Sequence, residues 1–154
     1  NATPGYANFL SFMNAATDGL LYTQTLCNLA EAEGLGTCFL GTTLYMPQTI
    51  INVLQLPRLV FPVATITMGW PAENPMQTDR LRAMVHQERF EDYTAERIDD
   101  FYRAKEALEV NKNFVEINRK ETLAQVFTDI KYTKKDNEAM SKSLLEALHQ
   151  QGFL

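Results

Sequence analysis

Residues 34–42 read Gly-Leu-Gly-Thr-Cys-Phe-Leu-Gly-Thr, the most informative stretch of the chain, because three glycines fall within eight residues. A glycine lets the backbone approach another backbone or a ligand closely. Residues 14–33 carry two neighbouring apolar stripes at helical spacing, a first of Ala16, Leu20, Cys27 and Ala30 and a second of Tyr22, Leu26 and Leu29. Together the stripes predict a buried helix that ends at Gly34. The glycines therefore follow a helix, whereas a dinucleotide-binding fingerprint follows a strand and opens a helix. A tight helix-to-strand connection and a ligand-approach loop both fit this pattern.

The segments that follow predict a short strand, a short helix and a second strand. Residues 37–40 are β-prone, and Pro47 suits the first turn of a helix that carries Ile50, Val53 and Leu54 and stops at Pro57. Residues 59–68 are rich in β-branched and aromatic side chains without strict alternation, which predicts a strand covered on both faces. Pro62 removes one backbone donor from this run and indicates an edge position or a bulge.

Charged side chains are concentrated in the second part of the chain. Residues 1–71 hold only four of them, and the other 29 lie in residues 72–154. Charged groups are rarely buried without a partner, so the first part is interpreted as core and the second as solvated helices. The predicted helices are one capped by Thr94, one with Leu123, Val126, Phe127 and Ile130 on one face, and one capped by Asp136 or Asn137 that ends before Gly152. We therefore expect an α+β fold with few strands and an incomplete core, which indicates a fragment or an obligate oligomer.

The composition excludes several functional classes. A pI near 5.0 and a net charge of −5 leave no basic stripe for nucleic acid. No apolar run reaches the roughly 18 residues that a membrane span requires. Two cysteines form no disulfide framework, no His or Cys lies at zinc spacing, and no secretory signal opens the sequence, so we expect a cytoplasmic protein.

Few side chains suggest chemistry by themselves. Arg80 could hold a phosphate through its planar guanidinium, although a solvated arginine is the commoner case. His86 has no nucleophile or carboxylate pattern beside it. Cys38, flanked by apolar residues, is interpreted as a buried, inert thiol. The lysines at 131, 134 and 135 are interpreted as a solvated turn, with anion binding as the alternative.

Four segments, taken in their order along the chain, resemble the FMN-dependent nitroreductase family. Residues 30–38, Ala-Glu-Ala-Glu-Gly-Leu-Gly-Thr-Cys, resemble its AAEsLGLGTC segment, and residues 39–42 match its hydrophobic-hydrophobic-Gly step. Residues 56–73 are similar to its LP…vvPv…lGyPae strand, and Arg80-Leu81 stands at its K/R-x-R-L element. The match covers residues from about 14 to 90, and residues 114–154 resemble the C-terminal extension of one branch of the family.

The resemblance implies an α+β, nitroreductase-like fold with helices around a small sheet. Residues 1–90 would be the C-terminal part of the core, and residues 91–154 a helical extension that packs on the core or on the partner subunit. It implies FMN bound in a homodimer of bacterial type, with NAD(P)H as reductant and a nitroaromatic, a quinone or a similar small molecule as acceptor.

The site implied by the resemblance has two parts. The backbone of Phe39, Leu40, Gly41 and Thr42 would face the isoalloxazine ring, where an N–H group could stabilise the reduced flavin, and Arg80 would pair with the FMN phosphate. Thr78 and Arg82 replace the lysine and proline that the family has beside that arginine, and its N-terminal Arg-Arg-Ser-type motif is absent from these residues. The alternative is a non-catalytic, dimerising remnant of the fold that binds no flavin.

Overall fold

The computed structural model describes residues 5–73 and 92–154. The chain forms two compact units, one from residues 1–74 with 135–154 and the other from residues 75–134. The sequence predicted a boundary between residues 90 and 91 that divides a core from a helical extension. The two compact units do not test that boundary, which stays a prediction. No helix in the described ranges is both long and apolar enough to span a membrane.

The first unit opens with the long helix α1 (Phe9–Ala32). Its Asn8 cap accepts a hydrogen bond from the Ser11 N–H, so the helix begins before the predicted residue 14. Gly34 follows its end with a φ of 82°, as the sequence predicts. The prediction that this helix is buried is wrong for the chain by itself, because Cys27 and Ala30 are its only buried residues. Most of its other large apolar side chains, Leu21, Tyr22 and Leu29 among them, are exposed.

A two-stranded antiparallel sheet follows, formed by β1 (Gly36–Leu40) and β2 (Thr65–Gly69). The register pairs Gly36 with Gly69 and Leu40 with Thr65. The predicted strand over residues 59–68 is wrong over its first six residues, because they form a turn and a connection instead. The expectations of a strand covered on both faces and of a buried Cys38 are also wrong, since Cys38 and the last three residues of β2 are exposed.

A short helix lies between the two strands in the chain. A 3₁₀ turn (Thr43–Tyr45) leads into α2 (Pro47–Leu54), and Pro47 occupies the first turn as predicted. The helix ends at Gln55, which has a left-handed φ of 52°, so it stops before Pro57 is reached.

The second unit is helical, with α3 (Ala95–Glu106), α4 (Glu109–Ile117) and α5 (Leu123–Val126), which continues as a π turn (Phe127–Lys131). Thr94 and Thr122 cap α3 and α5 through their hydroxyl oxygens. Leu123 and Val126 are fully buried at its centre. The Glu106 carboxylate accepts a hydrogen bond from the Leu123 N–H, which ties α3 to α5.

The helix α6 (Lys134–Gln151) brings the chain back to the first unit. The predicted cap at Asp136 or Asn137 is wrong, because the helix already begins at Lys134 and both residues lie in its first turn. Gly152 follows its end with a φ of 85°, as predicted. The α+β prediction is confirmed by this arrangement of helices around a small sheet.

Candidate functional site

An apolar groove lies where β1 ends and α2 begins. Its volume is about 380 Å³, within the range of small-molecule sites. The lining side chains are aliphatic residues, one methionine and four threonines: Leu40, Thr42, Thr43, Met46, Thr49, Ile50, Val53, Leu54 and Thr65.

Local sequence explains how the groove is built. The chain leaves β1 at Leu40, turns at Gly41 and Thr42, and enters α2 at Pro47. Thr43 is buried, and its hydroxyl donates a hydrogen bond to the Leu40 carbonyl at 3.2 Å, which closes the turn. Helical spacing then places one face of α2 along one side of the groove, and Thr65 at the start of β2 stands on the other.

Two of the five predicted site residues line this groove. Leu40 and Thr42 line it, and Gly41 lies between them. A Cβ built on Gly41 would have no heavy atom within 4 Å, so the space above this backbone is open. Phe39 is exposed on the strand, where alternation directs its side chain to the face opposite Leu40. Arg80 and His86 lie outside the described residues.

The electrostatic character of the groove is neutral. None of its lining residues titrates, so the groove offers hydroxyl groups and apolar contacts but no acid or base. In the described parts of the chain, no group of His, Cys, Asp and Glu could hold a metal ion. Such a site can bind and orient a flat apolar group, and proton transfer there would need groups from elsewhere.

One carboxyl group outside the groove has a perturbed pKa. Lys120 donates a hydrogen bond of 2.8 Å to Asp129, and this contact, assisted by the Thr128 hydroxyl, holds the pKa of Asp129 below its ordinary value. This pair belongs to the second unit, where Lys131 also lies over the Phe114 ring at 4.7 Å from its centroid. The predicted basic turn therefore has one lysine engaged with an aromatic ring rather than freely solvated.

Sequence reasoning missed Met46, Thr49 and Thr65 as lining residues. It placed Val53 and Leu54 on a short helix without a role, and in the structure these side chains are 74% and 62% exposed. A periodic pattern identifies an apolar face without telling whether protein or ligand covers it.

No family model matches. The FMN reductase [NAD(P)H] of Bacillus subtilis is 35% identical over 82 residues, which are 52% of this chain and 33% of that protein. The oxygen-insensitive NADPH nitroreductase of Salmonella typhimurium is 32% identical over 76 residues, 48% of this chain and 32% of that protein. The resemblance to the nitroreductase family is confirmed.

Solved structures agree with this assignment. A presumed oxidoreductase from Bacteroides fragilis is 58% identical with a TM-score of 0.94, and the match covers 100% of this chain and 63% of that one. The NfrA1 nitroreductase from Bacillus subtilis matches at 23% identity with a TM-score of 0.70, covering 95% and 58% of the two chains, which shows a nitroreductase-like fold. The chain spans about a third of the length of the curated relatives it matches.

Proposed function

We propose that the protein is an FMN-dependent oxidoreductase of the nitroreductase type. It would pass hydride from NAD(P)H to a nitroaromatic, a quinone or a similar small acceptor. One observation carries the proposal: Leu40 and Thr42 line the apolar groove, and together with Gly41 between them in the chain they belong to the glycine-rich stretch that resembles the family's flavin-facing segment. The names of the relatives, an FMN reductase and an NADPH nitroreductase, support both the cofactor and the reductant.

The described residues fit the ring portion of FMN. An isoalloxazine ring is flat, with an apolar dimethylbenzene half and a polar pyrimidine half, and the groove offers aliphatic walls, threonine side chains and no charge. Gly41 carries no side chain and has open space around its Cβ position, so a ring bound beside Leu40 and Thr42 could approach this peptide closely. Arg80, placed by sequence alone, would supply the charge-assisted contact to the phosphate.

The absence of an acid or base along the groove agrees with flavin chemistry. When bound, FMN supplies the hydride transfer, while the protein binds, orients and shields the ring. In this proposal Leu40 and Ile50 exclude water from one side of the ring. The Thr43 hydroxyl keeps the turn closed so that Gly41 and Thr42 stay in place.

The proposal includes a homodimer located in the cytoplasm. The Tyr22, Leu26 and Leu29 side chains follow one another at helical spacing on α1, and all three are exposed. An apolar stripe of this kind marks a surface that another polypeptide covers. Both cysteines are free thiols, which is the state that a reducing compartment maintains.

Light scattering after size exclusion tests the dimer at micromolar concentration. We expect a dimer for the native sequence and a monomer for Leu29→Arg, because a guanidinium would be buried without a partner. Val110→Arg, at an exposed site in the second unit, is the control and should leave the mass unchanged. A native chain that elutes only as monomer would contradict this part of the proposal.

The absorbance spectrum tests the cofactor. The purified chain is measured through the flavin region, then mixed with FMN, desalted and measured again. Retained flavin bands are the expected result, followed by their bleaching with NADPH or NADH and their return with a quinone. A chain that stays colourless after FMN loading, although folded by circular dichroism, would support the flavin-free remnant instead.

A further inference from the structure

The two sides of the groove are joined by one connector, residues 55–64. Leu54 at the end of α2 stands on one side of the groove and Thr65 at the start of β2 on the other. Both residues are therefore attached directly to the ends of this connector. The connector therefore helps to set the distance between α2 and β2, together with β1, which pairs with β2 and leads into α2.

The connector contains a turn in an unfavourable conformation. Leu59 has a φ of 67°, in the left-handed region that residues with a Cβ rarely adopt. The Val60 N–H donates to the Pro57 carbonyl at 3.2 Å across the same turn. A left-handed leucine persists only where its surroundings hold it.

Residues 151–153, at the end of α6, supply that hold, and we call them the strap. The Leu59 N–H donates to the Gln151 carbonyl at 3.0 Å. Gly152 lies so close to Arg58 that a Cβ on it would come within 2.6 Å of the guanidinium Nε. A Cβ there would displace the Arg58 guanidinium, and the φ of 85° is one that residues with a side chain rarely adopt.

Phe153 anchors the strap in the first unit. It is buried, and its ring centroid lies 5.1 Å from that of Phe12 on α1. Phe12 in turn meets Phe61 of the connector edge to face at 5.5 Å. The three rings join α1, the connector and the strap in one apolar cluster.

We propose that the strap fixes the strained turn at Leu59 and thereby sets the width of the groove. Phe153 is then a positioning residue for the ligand of the groove, although the side chains that line the groove do not include it. The turn relaxes when the strap is released, and α2 and β2 lose their fixed separation.

Hydrogen exchange of the full chain tests the strap without any ligand. In Phe153→Ala we expect the Leu59 amide and the other amides of residues 55–65 to exchange at least about tenfold faster, while the second half of α1, which lies beyond the Phe12 contact, and residues 95–117 keep their native rates. Phe153→Leu keeps most of the apolar volume and should restore protection. Leu154→Ala, at an exposed neighbour, is the matched control. If Phe153→Ala does not fold, Gly152→Ala keeps the ring and should expose the same amides, with Gly19→Ala, whose Cβ would meet nothing within 4 Å, as its control.

The ligand arm of the test rests on the proposed function. FMN titration should give a dissociation constant about three- to tenfold higher in Phe153→Ala, the effect of one backbone hydrogen bond lost, and close to the native value in Phe153→Leu. Exchange that rises equally throughout the first unit, or that does not rise at residues 55–65, would overturn the strap. A native chain that binds no FMN would overturn the proposed function, and the exchange data would still decide the strap.

Discussion

The Gly41→Val substitution tests where the isoalloxazine ring of FMN binds, because it should change FMN affinity without changing the stability of the fold. A valine Cβ at position 41 would meet no atom within 4 Å, and Gly41 does not have a left-handed φ. The backbone therefore accepts the substitution without strain, and we expect the free energy of unfolding to change by no more than about 0.5 kcal/mol, as at other unconstrained surface sites.

The substitution should weaken FMN binding instead. Valine adds three carbon atoms to the open space above the backbone, where the proposal places the isoalloxazine ring. Forcing extra methyl groups into an occupied site costs about 1–3 kcal/mol. At 25 °C this corresponds to an FMN dissociation constant raised about 5- to 160-fold.

FMN fluorescence titration measures this constant, and thermal unfolding followed by circular dichroism measures the stability. The matched control is Gly69→Val, because Gly69 is also open and lies at the opposite end of the two-stranded sheet. Native FMN affinity in a well-folded Gly41→Val would refute the placement of the ring over Gly41. Equal losses in both variants would also refute it, because the effect would not be local.

Three further outcomes are expected. Arg80→Ala should weaken FMN binding by about 1.5–3 kcal/mol, the range for hydrogen bonds to charged groups, and should leave riboflavin binding, which involves no phosphate, unchanged in the same titration. Leu123→Ala should lower the free energy of unfolding by about 2–5 kcal/mol, because Leu123 is fully buried, whereas denaturant titration of Leu145→Ala should show little change at an exposed site. The pKa of Asp129 is lower in the folded chain because of Lys120, so the stability this pair adds is present above the ordinary pKa of an aspartate and is lost as the pH falls through the lowered value. Lys120→Met should therefore flatten the acid side of the melting temperature against pH, and an unchanged profile would contradict the role of this pair.

Features that depend on local chemistry were predictable from sequence. Pro47 at the first turn of α2, Thr94 as the cap of α3, and the left-handed glycines at 34 and 152 all follow from backbone geometry within a few residues. Each of these signals acts through a hydrogen bond or a dihedral preference that the neighbouring residues alone determine.

The connector before β2 shows why other features were not predictable. Residues 59–64 have the β-branched and aromatic composition of a strand, yet Leu59 is held in a left-handed turn by the carbonyl of Gln151. Gln151 is the last residue of α6, far from Leu59 in the sequence. Composition reports a preference of about 1 kcal/mol at most for a strand residue, which one tertiary contact overrides.

The candidate site also contains some residues that the sequence predicted and others that it could not. The turn at Leu40, Gly41 and Thr42 was identified because its glycine pattern and its resemblance to a family are written in consecutive residues. Thr49 and Thr65 join the same groove only because α2 and β2 meet in space. An isolated threonine in a helix or a strand gives no signal of that meeting.

The two apolar stripes of α1 explain how the helix can be predicted as buried and yet be exposed. Cys27 and Ala30 of the first stripe are small and buried against their own unit. Tyr22 and Leu29 of the second stripe are large, and they are 71% and 62% exposed. Periodicity counts both stripes as core, because the free energy of burying a side chain does not depend on whose atoms cover it. The scarcity of charge in residues 1–71 has the same meaning, since a surface that is covered after association must lack charges just as a core does. If the proposed dimer forms, the sequence pattern specifies the buried surface of the dimer, and only the structure separates the part that this chain covers from the part that the second copy would cover.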